Sequence, residues 1–440
     1  MKKARGFPTK RLFLDALVSD LDVIQAIEDL VDNSVDAATR TQRKGSFDGF
    51  SVKIQFSPDH FEIEDNCGGM SVETAENVAF RLGRPETYHG HPGQIGRFGI
   101  GMKRDVFLLG KEIEVFSKTE TSSLEVEISV PKWLAKGEDD WDFPFTSVKE
   151  KITVPKEERG TKITVTNLNH EAKQQFKDPN FHGELVDALQ KAHQDSVVRG
   201  MHITVNNTPL TPQPYRLMES ANITPAHFSL TLNGHGKKAV KVRIVAGIDE
   251  TKARESGWYV ACNGRFILVA DQTIKTGWGE TGAVIVPKMH GQFARFRGYA
   301  FFDCEDPIRL PWNSTKTGLN TESPVYRAAR DLMISATRPV IDFLNEVDKE
   351  LEADERPLND AIEQAESRPV STVLAESESA PRRNFKATPI RGNNDPDRPI
   401  RIAYNKPLRQ VKEVRELLGT DVNREIGSKT FDYFYEHERR

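Results

Sequence analysis

The sequence predicts an α+β protein, in which helices and strands mix without regular βαβ alternation. Three observations lead to this fold class and to the expected number of domains. An amphipathic helical pattern precedes two alternating segments joined by a turn, and further alternating segments follow at irregular spacing. The length of 440 residues also exceeds what one compact core usually holds. We therefore expect two folded domains with additional segments.

The first clear element is a helix over residues 24–39. Apolar residues recur in it at helical spacing and predict a buried stripe: Ile24, Ile27, Val31, Val35 and Ala38. A rotation of about 100° per residue places Asp29, Asn33 and Asp36 together on the opposite face. An ordinary solvated face has the same pattern, so the spacing alone leaves a structural and a functional interpretation open.

Two antiparallel strands are predicted next, at 50–56 and 61–65, with a turn at Ser57-Pro58-Asp59. The second strand ends in Asp65, and two glycines follow shortly after it. A plain turn explains this pattern, and so does a carboxylate that accepts a hydrogen bond from a ligand amine. The alternating pattern predicts further strands of this domain at 112–117, 124–130, 152–154 and 161–166.

A glycine-rich segment, residues 90–103, precedes a helical stretch and contains Gly96, Gly99 and Gly101. Glycines at this spacing can turn backbone N–H groups toward a polyphosphate at a helix N-terminus, and Lys103 adds a positive charge. The segment does not follow a strand and lacks the Gly-Lys-Ser/Thr ending. Both the dinucleotide-binding fingerprint and the P-loop are therefore disfavoured.

The order and spacing of these three elements resemble the N, G1 and G2 boxes of the GHKL superfamily. That superfamily includes the gyrase B subunit, MutL, the large heat-shock chaperones, histidine kinases and the MORC (microrchidia) ATPases. The likeness is closest to MORC-type proteins and covers residues 20–170. It rests on AIEDLVDN from Ala26, DNCGGMS from Asp65, IGRFGIGMK from Ile95, LGK from Leu109 leading to VFSK from Val115, and Gly160-Thr161.

The resemblance implies a Bergerat fold, with helices on one face of a mixed sheet and ATP held under a mobile lid at residues 81–95. It implies that Asp65 binds the adenine amine, that Asn33 ligates Mg²⁺ and that the glycine segment wraps the phosphates. The nucleotide contacts that it implies are Asn33, Asp36, Asp65, Gly69, Met70, Gly96, Phe98, Gly99, Ile100, Gly101, Lys103 and Thr161.

One position departs from the superfamily pattern. Its members usually carry Glu four residues before the magnesium-binding Asn, as the general base, whereas this chain has Asp29 there. The neighbouring Glu28 projects about 100° away from Asn33, so we assign the base role to Asp29. Because the side chain of Asp is one methylene shorter, we expect a Mg²⁺-dependent ATPase with slow turnover.

A second strand-rich region is predicted to contain strands at 240–246, 258–261, 266–270 and 298–302. Residues 257–267 resemble the strand–turn–strand of the ribosomal-protein-like βαβ transducer domain of MutL and MORC proteins, although any hairpin with an Asn-Gly turn gives this pattern. Residues 312–317 resemble the loop whose lysine reaches the γ-phosphate, which makes Lys316 the second catalytic candidate.

These patterns divide the chain into four parts. Residues 1–175 form the expected ATP-binding domain and 176–350 the transducer-like domain. Residues 351–400, acidic and then proline-rich, are predicted to be a flexible linker. Residues 401–440 form a small C-terminal segment with a helix ended by Gly419 and several aromatic side chains. The basic residues at 382–415 suit a nucleic-acid contact, a solubilising linker or a contact for the acidic segment.

Composition limits the classes of function. A net charge of −4 gives no global footprint for nucleic acid, and no apolar run is long enough to cross a bilayer. Cys67, Cys262 and Cys304 form no metal or disulfide pattern. We therefore expect an intracellular protein of the cytoplasm, nucleoid or nucleus, without membrane contact.

The resemblance implies an ATP-gated clamp that forms an ATP-dependent homodimer and associates with DNA in genome defence or repair. The alternatives are a chaperone-like ATPase that acts on protein clients and a nucleotide-gated scaffold with negligible hydrolysis. Protein partners that bind the C-terminal segment are a further expectation.

Overall fold

The computed structural model describes residues 8–18, 21–41, 45–85, 91, 93–96, 99–232, 239–281, 285–313, 315–353, 355–377, 382–390, 402 and 404–438. The chain divides into two compact units, residues 1–391 and residues 392–440. The first unit contains both sheets described below, and the described part of the second contains two helices.

The first sheet is mixed and, among the described residues, has eight strands. They are β1 (Ser51–Ser57), β2 (His60–Asp65), β3 (Gly110–Lys118), β4 (Ser122–Ser129), β5 (Phe145–Glu150), β6 (Gly160–Leu168), β7 (His202–Val205) and β8 (Thr208–Pro209). Their spatial order is β5-β4-β3-β6-β2-β1-β7-β8, and β1 with β7 is the parallel pair. Alternate residues of the central strands are buried, so the sheet has an apolar face that packs into the core.

Helices of the first unit pack with this apolar face in a common hydrophobic core. After the short helix α1 (Lys10–Leu12), they are α2 (Val23–Thr41), α3 (Val72–Thr74), α4 (Gly101–Leu109), α5 (Val130–Ala135), α6 (His170–Lys177), α7 (Phe181–Ala192) and α8 (Gln194–Val198). In α2 the predicted stripe is buried apart from the half-buried Ile24, and α2 contacts α4. The two elements that carry the predicted nucleotide motifs are therefore neighbours.

The second region contains the strands β9 (Arg216–Glu219), β10 (Ile223–Thr224), β11 (Ala226–Leu232), β12 (Val240–Ile248), β13 (Gly257–Cys262), β14 (Arg265–Asp271), β15 (Phe296–Asp303), β16 (Glu366–Pro369), β17 (Arg382–Arg383) and β18 (Lys386–Ala387). Six of them form the second sheet within the described ranges, in the order β14-β13-β15-β12-β11-β17. The long helix α9 (Pro324–Lys349) contacts β12 and β15, and Trp258 of β13 donates a hydrogen bond to Thr337 of α9.

The structure differs from the predicted elements in several places. The strand predicted at 152–154 is irregular, although Ile152 and Val154 donate backbone hydrogen bonds to residues 121 and 120, and β5 lies just before it. Strands β7 and β8, predicted to lie in the second domain, complete the first sheet. This long-range parallel pairing leaves no local pattern in the sequence.

The third difference concerns the predicted flexible linker at 351–400. Its described part contains α10 (Pro357–Glu363), α11 (Val370–Ser377) and the three short strands β16, β17 and β18. These strands pair with β9, β11 and β10 respectively, so much of this segment is packed on the second region. Few apolar residues suffice for this, because backbone pairing and side chains such as the buried Phe385 anchor it.

The second unit contains α12 (Leu408–Leu418) and α13 (Asn423–Glu438). Gly419 ends α12 in the left-handed conformation, with φ 64°, as the sequence predicts. The aromatic side chains of this segment lie on α13, a helix that the sequence interpretation did not include, and neither helix has a buried residue among those described.

Candidate functional site

A single cavity collects nearly all the site residues that the sequence predicts. It lies between α2, the end of β2, the glycine segment, the first turn of α4, β6 and the loop before α9. The predicted residues that line it are Asp29, Asn33, Asp36, Asp65, Gly69, Met70, Gly96, Gly99, Ile100, Gly101, Lys103, Thr161 and Lys316. Phe98 lies outside the described residues, as do 86–90 and 92 of the predicted lid.

Asp65 stands at the end of β2 as a fixed acceptor. Its Oδ1 accepts hydrogen bonds from the backbone N–H groups of Cys67, at 2.8 Å, and Thr161, at 3.3 Å, while Oδ2 accepts one from the hydroxyl of Ser34, at 2.8 Å. Burial raises the pKa of Asp65, and these three hydrogen bonds oppose that effect. The carboxylate is therefore oriented by elements on both sides of the cavity.

The backbone that lines the cavity beside Asp65 requires glycine at position 69. Gly69 has φ 69°, and a Cβ there would lie 2.0 Å from the backbone oxygen of Lys118. The next N–H group, of Met70, donates to the hydroxyl of Ser117 at 2.8 Å, and this hydroxyl lies 2.9 Å from that of Thr161. The chain thus passes flat against β3 and β6, which leaves room for a planar group above it.

Asp36 of α2 accepts two hydrogen bonds from the glycine segment. Its two carboxylate oxygens accept the backbone N–H groups of Ile95, at 2.7 Å, and Gly96, at 2.9 Å. The N–H group of Gly96, which the resemblance assigned to a phosphate, is thus given to Asp36 in this structure. A carboxylate that accepts two N–H groups fixes where the segment leaves the helix, and this gives Asp36 a structural function.

Lys103, which lines the cavity, also binds the glycine segment. Its ammonium donates to the backbone oxygens of Ala79, at 2.7 Å, and Gly99, at 2.9 Å, and its side chain is almost fully buried. Burial lowers the pKa of Lys103 to about 7. Lys103 thus links the glycine segment to residue 79. Asn33, by contrast, is exposed and lines the cavity.

A buried cluster of charges joins α2 to the loop that precedes α9. Asp29 accepts hydrogen bonds from Arg104 on Oδ2, at 2.8 Å, and from Lys316 on Oδ1, at 3.0 Å. Lys316 also donates to Asp32, at 2.6 Å. Although burial opposes the charge of Lys316, the two aspartates raise the pKa of this ammonium above its ordinary value.

The second sheet adds another cation to this cluster. Arg265, at the start of β14, donates to Glu28 at 2.7 Å, and its Nε lies 3.2 Å from Asp32. Burial raises the pKa of Glu28, while Arg265 opposes this. Glu28 does not line the cavity, which agrees with its predicted direction on the helix.

Sequence reasoning missed three residues that orient or surround the predicted ones. Ser34 follows the predicted Asn33, and Arg104 follows Lys103, so each could have been found by extending its motif by one residue. Arg265 contacts a residue 237 positions away in the chain, and nothing local indicates that pairing.

Residues 21–161 match the family model described as histidine kinase-, DNA gyrase B-, and HSP90-like ATPase. No curated protein matches the chain. The match supports the GHKL superfamily for this part of the chain, and the large mixed sheet with its helices fits such an ATPase domain. It supports ATP binding by this part of the chain. Among the described helices, none combines the length and apolarity needed to span a membrane.

Proposed function

We propose that this protein binds MgATP in the cavity and hydrolyses it slowly. The observation that carries the proposal is the convergence of Asp65, Asn33 and the glycine segment on one cavity, within residues that match an ATPase family. Asp65 offers an oriented acceptor for the adenine amine, beside a floor on which the planar base can lie.

Asn33 is the proposed magnesium ligand. It is exposed in the cavity on the same helix as Asp29 and Asp36, whose carboxylates already have protein partners. Mg²⁺ prefers oxygen ligands and commonly uses only one or two protein groups together with water and substrate phosphates. The ion would neutralise part of the phosphate charge, and water and phosphate oxygens would supply its other ligands.

Asp29 and Lys316 are the proposed catalytic residues. Asp29 is the cavity carboxylate that can accept a proton from an attacking water, and Lys316 supplies a buried positive charge beside it. A lysine that contacts the terminal phosphate distinguishes ATP from ADP, because only ATP carries that group.

Calorimetry with phosphate-release assays tests these roles. We expect MgATP to bind with measurable heat, and the heat to decrease when Mg²⁺ is chelated. Asp29→Ala should abolish phosphate release while the dissociation constant for ATP changes less than about threefold, because a general base contributes to the transition state rather than to ground-state binding. Loss of affinity in parallel with the rate would contradict the base assignment.

We further propose an ATP-gated clamp, in which bound nucleotide favours pairing of two ATPase domains and hydrolysis reopens the pair. The resemblance to MORC-type and MutL proteins supports this proposal and a DNA-associated role. Light scattering with and without a non-hydrolysable ATP analogue tests pairing. Retardation of duplex DNA at several salt concentrations tests the DNA contact, since phosphate contacts weaken as salt rises.

A nucleotide-gated scaffold with negligible turnover is the second candidate. One observation favours it: both oxygens of Asp29 are hydrogen-bonded to cations, which leaves the short side chain poorly placed to accept a proton from water. Nucleotide-dependent pairing without phosphate release over hours would select the scaffold over the ATPase.

The C-terminal unit is a proposed docking element for a protein partner. Helices α12 and α13 carry exposed large side chains, including Leu417 at 84% and Phe434 at 65% exposure, and such short helices gain most of their stability from packing. Removal of residues 392–440 should abolish capture of that partner while ATP binding by the first unit is retained.

A further inference from the structure

The two oxygens of the proposed base are held by cations from different parts of the fold. Arg104 of α4 donates to Oδ2 of Asp29 at 2.8 Å, and Lys316 of the loop before α9 donates to Oδ1 at 3.0 Å. All three side chains are at most 8% exposed. Asp29 therefore has one partner on the rigid helix that begins at the cavity and another on a loop.

We infer that Arg104 is a positioning residue that holds Asp29 in place for attack on ATP, after Lys316 has moved from Asp29 to the terminal phosphate. This inference rests on the proposed ATPase function. In the arrangement that it requires, Oδ1 of Asp29 is released to accept the proton of the attacking water, while Oδ2 remains on Arg104. The water oxygen forms a bond to phosphorus, and the bond from phosphorus to the ADP oxygen breaks.

If Lys316 leaves the cluster, each of its carboxylates still has a cationic partner. Asp29 keeps Arg104, and Asp32 keeps Arg265, whose Nε lies 3.2 Å away. Arg265 also remains on Glu28, at 2.7 Å. Because leaving a buried charge unpaired is costly, this redundancy permits one cation to transfer. Lys316 also has a long flexible stem and lies on a loop, with φ 56° at its own backbone.

Arg104, by contrast, is fixed. It lies in the first turns of α4, and its side chain is 7% exposed. Its Nε lies 3.6 Å from Oδ1 of Asp105, a fully buried carboxyl group on the same helix. A guanidinium is planar and presents its donors in a rigid fork, so it constrains the direction of a carboxylate more strongly than an ammonium does.

The ion pair of Asp29 and Arg104 lies beside the glycine segment, where the phosphates are proposed to bind. A Cβ placed on Gly101 would lie 3.5 Å from a carboxyl oxygen of Asp105 and 3.9 Å from Oδ2 of Asp29. The pair of Asp29 and Arg104 is therefore adjacent to the helix start where the terminal phosphates are proposed to bind. A base that is one methylene shorter than Glu needs such a constraint, because a displacement of about 1 Å can cost roughly a hundredfold in rate.

The test compares Arg104→Gln and Arg104→Lys with the wild-type protein, by calorimetry for ATP binding and by single-turnover phosphate release. We expect Arg104→Gln to lower the rate about a hundredfold and to change the ATP dissociation constant less than threefold. Arg104→Lys should recover at least about a tenth of the wild-type rate, because it restores the charge without the fork.

Two controls separate positioning from a general structural effect. Glu28→Gln removes a buried ion pair of the same cluster outside the cavity, and we expect lower thermal stability with an unchanged rate. In an Asp29→Asn background, Arg104→Gln should cause no further loss of rate, because positioning acts only through the base. If Arg104→Gln does not fold, Arg104→Lys and the same comparison in the Asn background provide the test.

Some outcomes overturn the inference without affecting the proposed function. An unchanged rate in Arg104→Gln shows that Arg104 does not position the base. A fall in ATP affinity as large as the fall in rate shows that Arg104 contacts the nucleotide itself. Absence of ATP binding by the wild-type protein is a different result, because it removes the proposed function before any variant is compared.

Discussion

Replacement of Asp65 by Asn tests the adenine contact with little disturbance of the fold. The carboxylate accepts two backbone N–H groups on Oδ1 and the hydroxyl of Ser34 on Oδ2. The oxygen of an Asn amide can keep the two backbone contacts. Its NH₂ group can donate to Ser34, whose hydroxyl is free to rotate and accept. We therefore expect Asp65→Asn to fold normally.

The same replacement should weaken ATP binding about a hundredfold. A hydrogen bond to a charged acceptor contributes about 1.5–3 kcal/mol, and the variant would present an NH₂ donor to the adenine amine, which is also a donor. About 1.4 kcal/mol corresponds to a factor of ten in affinity. Because burial already raises the pKa of Asp65, removal of the charge should leave the melting temperature unchanged or higher.

Isothermal titration of MgATP measures this effect, with Asp59→Asn as the matched control. Asp59 is an exposed carboxylate in the turn between β1 and β2, where it pairs with Lys173 at 2.6 Å, and its loss should not change the affinity. Guanine carries an oxygen where adenine carries the amine, so the ratio of ATP to GTP affinity should also fall. A folded Asp65→Asn variant that binds ATP within threefold of the wild-type affinity would refute the reasoning.

Two further predictions concern the lysines of the cavity. Lys316→Ala should weaken ATP binding about tenfold but ADP binding less than twofold, and titration of both nucleotides checks this. It should also lower the free energy of unfolding in urea, but by less than the roughly 3 kcal/mol of an unpaired buried charge, because Asp29 keeps Arg104 and Asp32 keeps Arg265. Burial lowers the pKa of Lys103 to about 7 in the folded protein, so the unfolded chain binds more protons above that pH. The free energy of unfolding of the wild type should therefore rise relative to Lys103→Met by about 4 kcal/mol between pH 7 and pH 10, as measured by urea denaturation at each pH.

The sequence was sufficient to locate the cavity because its motifs are short and local. Helical spacing in α2, the strand end at Asp65 and the glycines ahead of α4 each fix a group relative to its own backbone. The superfamily resemblance then supplied the arrangement of the three elements, which no single element contains. The antiparallel pair β1 and β2 was predictable for the same reason, since its partners are separated by one turn.

Side-chain partners across the fold were not predictable from local patterns. The nucleotide contacts of Lys103 and Asp36 stay a prediction, but the sequence did not indicate that both side chains hold the glycine segment. Their direction depends on backbone groups of residues 79, 95, 96 and 99, whose positions are set by packing. The contact of Arg265 with Glu28 likewise depends on how the second sheet meets α2.

The charge cluster gives the second sheet a defined connection to the proposed chemistry. Three carboxylates of α2, on Glu28, Asp29 and Asp32, face Arg104, Arg265 and Lys316. Buried ion pairs often add little net stability, since desolvation offsets their attraction, so the cluster is poorly explained as a stabilising device alone. Of its cations, Lys316 is the one on a loop between the second sheet and α9, and it also lines the cavity. A terminal phosphate that attracts Lys316 would therefore break its ion pair with Asp29 of α2, while the ion pair of Arg265 with Glu28 remains. The terminal phosphate and the carboxylates of Asp29 and Asp32 on α2 would then compete for one ammonium group.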